Sequence, residues 1–150
     1  MEIFVGSDHA GYELKEQIIP FLKTLGYAVT DVGPRHFDRE DDYPDFIFPV
    51  AKEVAADPKN VRGIVFGGSG QGEAISANRV KGVRAAVFYG GSTEIIRLSR
   101  EHNDANVLSL GSRFLNEDLA KQAIKLWLDT PFTAQERHER RIAKIDAPTA

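Results

Sequence analysis

The sequence predicts an α/β fold: a three-layer, Rossmann-like, doubly wound parallel sheet of five strands, with helices on both faces and a C-terminal tail helix. Five short runs that are nearly all apolar predict the strands, because strands covered on both faces lose the alternation of a half-exposed sheet. Segments of helical spacing separate the runs, so the strands are joined by right-handed crossovers and run parallel. The 150 residues show no internal repeat, linker or low-complexity stretch, which suits one domain with a real core.

The elements follow in order. Ile3-Phe4-Val5 is the first strand, closed by Gly6-Ser7-Asp8-His9-Ala10-Gly11. Leu14, Ile18, Phe21, Leu22 and Leu25 then recur at helical spacing up to Gly26, a residue suited to the left-handed turn after a helix. Tyr27-Ala28-Val29 begins the second strand, and residues 31–45 form a long loop holding Gly33, Pro34 and Pro44. Loops of that length usually serve function, so Arg35, His36 and Tyr43 either line a site or belong to a solvated connection. Asp45 is placed to cap a helix carrying Ile47, Val50, Ala51 and Val54, and Asp57-Pro58 ends it. Gly63-Ile64-Val65-Phe66 is the third strand, followed by a glycine-rich loop and a helix over roughly 72–79. Residues 83–88 form the fourth strand, Gly90-Gly91-Ser92 a turn, and 93–101 a helix with Ile95, Ile96 and Leu98. Val107-Leu108-Ser109-Leu110 is the fifth strand. Asn116 caps a helix bearing Leu119, Ala123, Ile124, Trp127 and Leu128, with Pro131 past its end, and the polar tail over about 133–145 is helical in period.

In open sheets of this kind a ligand lies outside the carboxyl ends of the strands. That rule gathers Asp8 and His9, residues 67–73 and residues 90–93 on one edge. Residues 67–72 include four glycines, Gly67, Gly68, Gly70 and Gly72, a costly choice for ordered backbone. Bare backbone between strand and helix lets amides turn toward a ligand, and the helix N-terminus adds its positive dipole end. Glu73 follows, a carboxylate that does not help to bind an anion. Two readings stand: a base beside an anion-stabilising nest, or a tight turn with Glu73 as a favourable first-turn charge.

Composition narrows the function. A net charge of −3 and a pI near 5.8 give no basic footprint for nucleic acid or an anionic membrane surface. The absence of cysteine removes disulfides and thiol chemistry and agrees with a cytoplasmic location. Met1 leads directly into a strand rather than a signal segment, and no stretch approaches the ~18 apolar residues of a membrane span, so the expectation is a soluble, unprocessed protein. His9, His36, His102 and His138 lack close metal-ligand spacing, so no metal is expected. The GxGxxG pattern fails at Glu73 and the P-loop lysine is missing, which disfavours a nucleotide cofactor.

Three further constellations can carry chemistry. Asp8-His9 is either a titratable pair for hydroxyls, phosphate or proton movement, or a helix cap with an exposed histidine. Residues 100–106 place His102, Asn103 and Asn106 between a helix and a buried strand, a hydroxyl-binding set for a sugar or a simple cap. In the tail, Arg137 and Arg141 share one helical face, so their guanidinium groups either converge on a phosphate or pair with Glu136 and Glu139 as a solvated helix. A polar tail helix has little reason to be ordered alone; reaching a neighbouring subunit's site would explain both its order and its charge.

Asp8-His9-Ala10-Gly11, residues 67–73, Gly82-Val83-Arg84-Ala85, residues 100–107, Gly111-Ser112-Arg113 and Arg137-His138 with Arg141 occur in the order found in the ribose-5-phosphate isomerase B family. The chain resembles that family, and the wider group that includes galactose-6-phosphate isomerase subunits, from Met1 to about Ile145. The resemblance implies a single sugar-phosphate isomerase domain over 1–150 that interconverts an aldose phosphate and a ketose phosphate through a cis-enediolate, with no cofactor. Many members carry a cysteine base where Gly67 stands here; Glu73 matches a branch that uses glutamate instead. By the same resemblance, the backbone of Gly68, Gly70, Gln71 and Gly72 with the Ser69 hydroxyl would hold the enediolate oxygen. His102, with Asp8 as a possible partner, would assist ring opening; His9, Arg137 and Arg141 would bind phosphate, Tyr43 would border the sugar, and Asn103 would bind a hydroxyl. The family's site lies between subunits, which implies a homodimer or homotetramer. Ribose 5-phosphate is the preferred substrate on this reading; four- or six-carbon sugar phosphates such as galactose 6-phosphate, or a non-catalytic sugar-phosphate or nucleotide sensor, are the alternatives.

Overall fold

The computed structural model describes residues 1–147, so the last three residues of the expected 1–150 domain lie outside the described residues. Its elements are β1 (Glu2–Ser7), α1 (Tyr12–Thr24), β2 (Ala28–Gly33), α2 (Pro44–Ala56), β3 (Val61–Gly67), α3 (Gln71–Asn78), β4 (Ala85–Phe88), α4 (Glu94–Glu101), β5 (Val107–Gly111), a single 3₁₀ turn (Ser112–Phe114), α5 (Glu117–Asp129) and α6 (Glu136–Asp146). The strands form one parallel sheet in the order β2-β1-β3-β5-β4.

Side chains alternate between two cores. Ile3, Val5, Ile64, Phe66, Leu108 and Leu110 face α1, α4 and α5, where Ile18, Leu22, Ile124 and Trp127 are fully buried. Val65 and Val107 face α2 and α3, against Ile47, Val50, Val54 and Ala77. Burying an aliphatic side chain of this size contributes roughly 1.5–3 kcal/mol, so both sheet faces are firmly covered. The connections from β1 and β3 leave toward opposite faces. The crevice between their carboxyl ends is therefore a switch point of the kind that admits ligands.

Local chemistry accounts for the element ends. Asn116 caps α5 as expected, its Oδ1 accepting the Leu119 N–H at 2.8 Å. Asp45 does not cap α2: the helix begins at Pro44, whose fixed φ suits a first helical position, and Asp45 sits within the first turn. The second strand runs further than its apolar residues suggested, because Asp31 and Gly33 pair with Val5 and Gly6. The loop is therefore 34–43. Its base is held by Lys15, a fully buried ammonium that bonds Asp31 at 2.7 and 2.8 Å and the Pro34 carbonyl at 2.9 Å. The tail helix is close to its expected range. Among the described residues no helix is long and apolar enough to cross a membrane.

Candidate active site

The glycine loop leaves β3 at Gly67 and enters α3 through Gly70, whose φ of +79° is the left-handed conformation that glycine adopts most cheaply. Neighbouring strands fasten it. The Ser109 hydroxyl donates to the Gly70 carbonyl at 2.6 Å, and the Arg113 N–H donates to the Gly68 carbonyl at 3.1 Å. Ser69 is exposed and its Oγ accepts the Gln71 N–H at 3.3 Å. The first turn of α3 then places Glu73 in a buried position, 3% exposed. Its carboxyl lies over the end of β3, where a Cβ on Gly67 would stand 2.0 Å from Glu73 Cδ. Any side chain at position 67 would collide with it. Burial pushes the Glu73 carboxyl above the usual carboxylate range and the Asp8 charge adds to the rise, against the opposing pull of its own backbone N–H. A carboxyl raised in this way suits a general base working near neutral pH.

Asp8 and His9 reach the same edge from β1. Asp8 Oδ1 accepts the Gly11 N–H at 3.0 Å, which closes the turn before α1 without making Asp8 its cap, since the N-cap position is Gly11, and the Asp8 backbone N–H bonds the Phe66 carbonyl at 3.3 Å. His9 is gripped by the 34–43 loop: one oxygen of Asp41 lies 2.7 Å from its ring Nδ1 and 3.1 Å from its backbone nitrogen. That bond holds the imidazole above its usual pKa; burial and the Arg113 charge oppose the rise, and the Asp8 and Asp41 charges assist it. Asp8, His9 and Asp41 bring three ligand-type atoms within 4.8 Å of one another. The 2.7 Å spacing between the ring and Asp41 is that of a charge-assisted hydrogen bond. Beside them runs an open groove of about 570 Å³, lined by His9, Tyr12, Glu13, Phe37 and Arg113.

Tyr43 closes the nest from the side, its ring lying where a Cβ on Gly72 would approach Cζ to 2.7 Å. Arg35 and His36 face solvent; of the same loop the Asp41 side chain is buried, while Phe37 and Tyr43 stay exposed yet lie against the His9 ring and Gly72. The connection after β4 shares this edge through Tyr89, whose Cβ and the Ser69 carbonyl both crowd Gly111, and whose ring packs edge-on against Phe114 at 6.0 Å. Sequence reasoning gave no role to Phe37, Asp41 or Arg113. Arg113 had a usable signal, since it follows the fifth strand at the ligand edge and its guanidinium covers Gly68, 3.1 Å from where a Cβ would stand. Asp41 had none, being one acid in an acidic run.

His102, Asn103, Arg137 and Arg141 gather elsewhere. In a parallel sheet each crossover helix returns the chain to the amino edge, and α4, eight residues and so roughly 12 Å long, delivers His102 and Asn103 there. The α6 helix is tied to this edge by Thr133, whose hydroxyl donates to the Glu101 carbonyl at 2.7 Å, and by Asp146 near Arg84 at 3.8 Å. The His102 ring stacks on His138 at 4.3 Å and 15°. His138 is buried with its Nε2 unpartnered, and burial, with the His102, Arg137 and Arg141 charges, holds it below its usual pKa. Within one chain, then, His102 meets His138 rather than Asp8. Asn106 does not join a hydroxyl-binding set: its amide accepts the Arg84 N–H at 2.8 Å and donates to the Gly82 carbonyl at 2.9 Å, fastening the approach to β4. Asn103 remains exposed. The Arg137 Nε donates to Gln135 at 3.1 Å; Arg141 is exposed.

Residues 3–145 match the family model described as Ribose/Galactose Isomerase. The chain is 44% identical over 142 residues to ribose-5-phosphate isomerase B of Mycobacterium leprae, covering 95% of this chain and 86% of that protein. The structure of ribose-5-phosphate isomerase B from Mycoplasma genitalium with bound ribulose 5-phosphate superposes with a TM-score of 0.92 at 43% identity, covering 97% of this chain and 93% of that one. The isomerase B structure from Clostridium thermocellum gives 0.90 at 46% identity, with 97% and 95% covered.

Proposed function

The chain belongs to the ribose/galactose isomerase family, and from that premise we propose that it interconverts ribose 5-phosphate and ribulose 5-phosphate with Glu73 as the base. The observation that carries this reading is the buried Glu73 carboxyl, raised in pKa, at the mouth of a glycine nest in the switch-point crevice. Glu73 removes the proton from carbon 2 of the open-chain aldose, and the electron pair moves onto the carbonyl oxygen at carbon 1 to form the cis-enediolate. The amides of Gly68, Gly70, Gln71 and Gly72 and the Ser69 hydroxyl stabilise the developing charge, the kind of preorganised contribution that is usually largest in such reactions. The hydroxyl proton on oxygen 2 passes to the charged oxygen 1, protonated Glu73 returns its proton to carbon 1, and the carbonyl left at carbon 2 is that of the ketose.

His9 and Arg113 border the groove in which the phosphate would lie, and Tyr43 the sugar. His102 and Asn103 would act on the ring oxygen and a hydroxyl, and Arg137 and Arg141 on the phosphate. All four lie at the opposite edge of their own sheet, which supports their acting in the site of a second subunit. A homodimer, alone or doubled into a homotetramer, is the assembly this requires. The substrate class and the lack of cysteine support a cytoplasmic location.

The test is a panel of four-, five- and six-carbon aldose phosphates incubated in deuterium oxide and followed by NMR. Conversion is expected to be fastest with ribose 5-phosphate, with deuterium entering at carbon 1 of the ketose. Fastest turnover of galactose 6-phosphate would move the substrate assignment, and no exchange with any sugar would mark a sensor rather than an enzyme.

A further inference from the structure

The 34–43 loop brings one acid into the site that the mechanism above does not use. The Asp41 side chain is 6% exposed and spends a single oxygen on His9, taking both the ring Nδ1 at 2.7 Å and the backbone N–H at 3.1 Å. Two bonds from one oxygen to one residue fix the backbone and the ring together. The second oxygen, Oδ2, is buried without a partner. A buried carboxylate half-bonded in this way is costly unless a positive charge sits beside it, and among the described residues the only titratable group its side chain hydrogen-bonds is the His9 ring. Phe37, edge-on to His9 at 6.2 Å, shields one side of the ring. With Nδ1 committed to Asp41, the remaining nitrogen, Nε2, is the one left for the groove that Arg113 also lines.

We infer that Asp41 is a positioning residue for the phosphate group of the substrate: it acts through His9, locking the ring so that Nε2–H is presented to the anion beside Arg113. This rests on the proposed role of His9 in binding phosphate. The elevated pKa of His9 agrees with it, since an imidazolium is the form that donates from both nitrogens. The charged and titratable groups that face the ring are Asp8, Asp41 and Arg113. A loop remote in sequence from the base thereby sets how tightly the anion is held. A substrate without a phosphate would gain nothing from it.

The decisive variant is Asp41→Asn, which keeps an acceptor for His9 and removes the charge, with Asp41→Glu as the conservative control. His9 is followed by NMR of its ring nitrogens during a pH titration, and inorganic phosphate serves as the probe of binding and as a competitive inhibitor. In Asp41→Asn the His9 titration should fall. Phosphate affinity should drop about tenfold near neutral pH, as expected for losing one charge-assisted contact, yet match the wild type at acid pH, where His9 is protonated regardless. KM should follow phosphate affinity while kcat changes little, and Asp41→Glu should recover part of the loss. An unchanged His9 titration, or a loss of affinity equal at every pH, would reduce Asp41 to a loop brace and overturn the inference. If the wild-type protein itself shows no affinity for phosphate, the inference falls together with the role given to His9, a result distinct from a wild type that binds phosphate and a variant that binds it equally well.

Discussion

The two edges of the sheet hold their functional groups in different ways. At the carboxyl edge, turn geometry and hydrogen bonds do the holding: Gly70 in the left-handed turn and the Ser109 hydroxyl on its carbonyl at 2.6 Å fix the loop that leaves Glu73 buried, and Asp41 fixes His9 at 2.7 Å. At the amino edge, His102 is held by stacking on His138 at 4.3 Å, and Arg141 is exposed. The first edge is ready for proton transfer within one chain. The second offers its groups outward. The contrast teaches how the fold divides its effort: a group whose geometry must be right at the moment of reaction is fixed inside the chain, and a group left exposed, such as Arg141, is free to meet something outside it.

Several changes would break or sharpen this contrast. Glu73→Gln should lower kcat by about 10²–10⁴, the usual loss of a positioned general base, with sugar-phosphate binding largely kept. The same variant should melt higher than the wild type at neutral pH. Glu73 has a folded-state pKa above its unfolded value, so protonation favours the fold, and the stability this gives is present below the unfolded carboxyl pKa and is lost as pH rises through the folded one. Thermal melts across pH should show that downward slope in the wild type and its reduction in Glu73→Gln.

Gly67→Ala tests the same edge by volume instead of charge. Its methyl would meet the Glu73 carboxyl at 2.0 Å, so kcat should fall about a hundredfold as the base is displaced, with roughly 1–3 kcal/mol of overpacking cost in denaturant melts. The amino edge answers more gently. Arg137→Ala and Arg141→Ala should each raise KM about tenfold, the value of one charge-assisted hydrogen bond, with a smaller change in kcat in steady-state assays. Mixing Glu73→Gln with His102→Ala, each expected to be strongly impaired alone, then asks whether the edges of different chains meet. Random exchange of subunits in a two-fold dimer should restore about a quarter of wild-type activity, because each hybrid holds one site free of both lesions. No recovery after verified subunit exchange would mean that His102 does not serve a partner's site.

Much of this was legible in the sequence. Periodicity, with the glycine loop for α3, marked the five strands and six α-helices of the described residues, though not the 3₁₀ turn at Ser112–Phe114, and the Asn116 cap was read correctly because its signal is local. The insertion of β5 between β3 and β4 leaves no periodic trace, since it depends on pairing between distant runs. Asp31 and Gly33 read as loop because neither favours a strand; pairing with β1 overrides that preference. At the site, the edge rule brought Asp8, His9 and Glu73 together. Asp41 stayed hidden because nothing local separates an acid that turns inward from its neighbours that do not. The choice between the two readings of Asn106 stayed open for a related reason: an asparagine amide binds a backbone as readily as it binds a sugar, and only the fold shows which.

The occupied space above Gly67 also bears on how such a site can change over time. A side chain at position 67, such as the cysteine base that the family resemblance gives to many relatives, competes with the Glu73 carboxyl for one space, so that one has to swing aside for the other. A lineage passing between them by single substitutions meets either a site with two bases in collision or a site with none. An engineer grafting a thiol onto this scaffold would therefore make room for it by shortening position 73 in the same step.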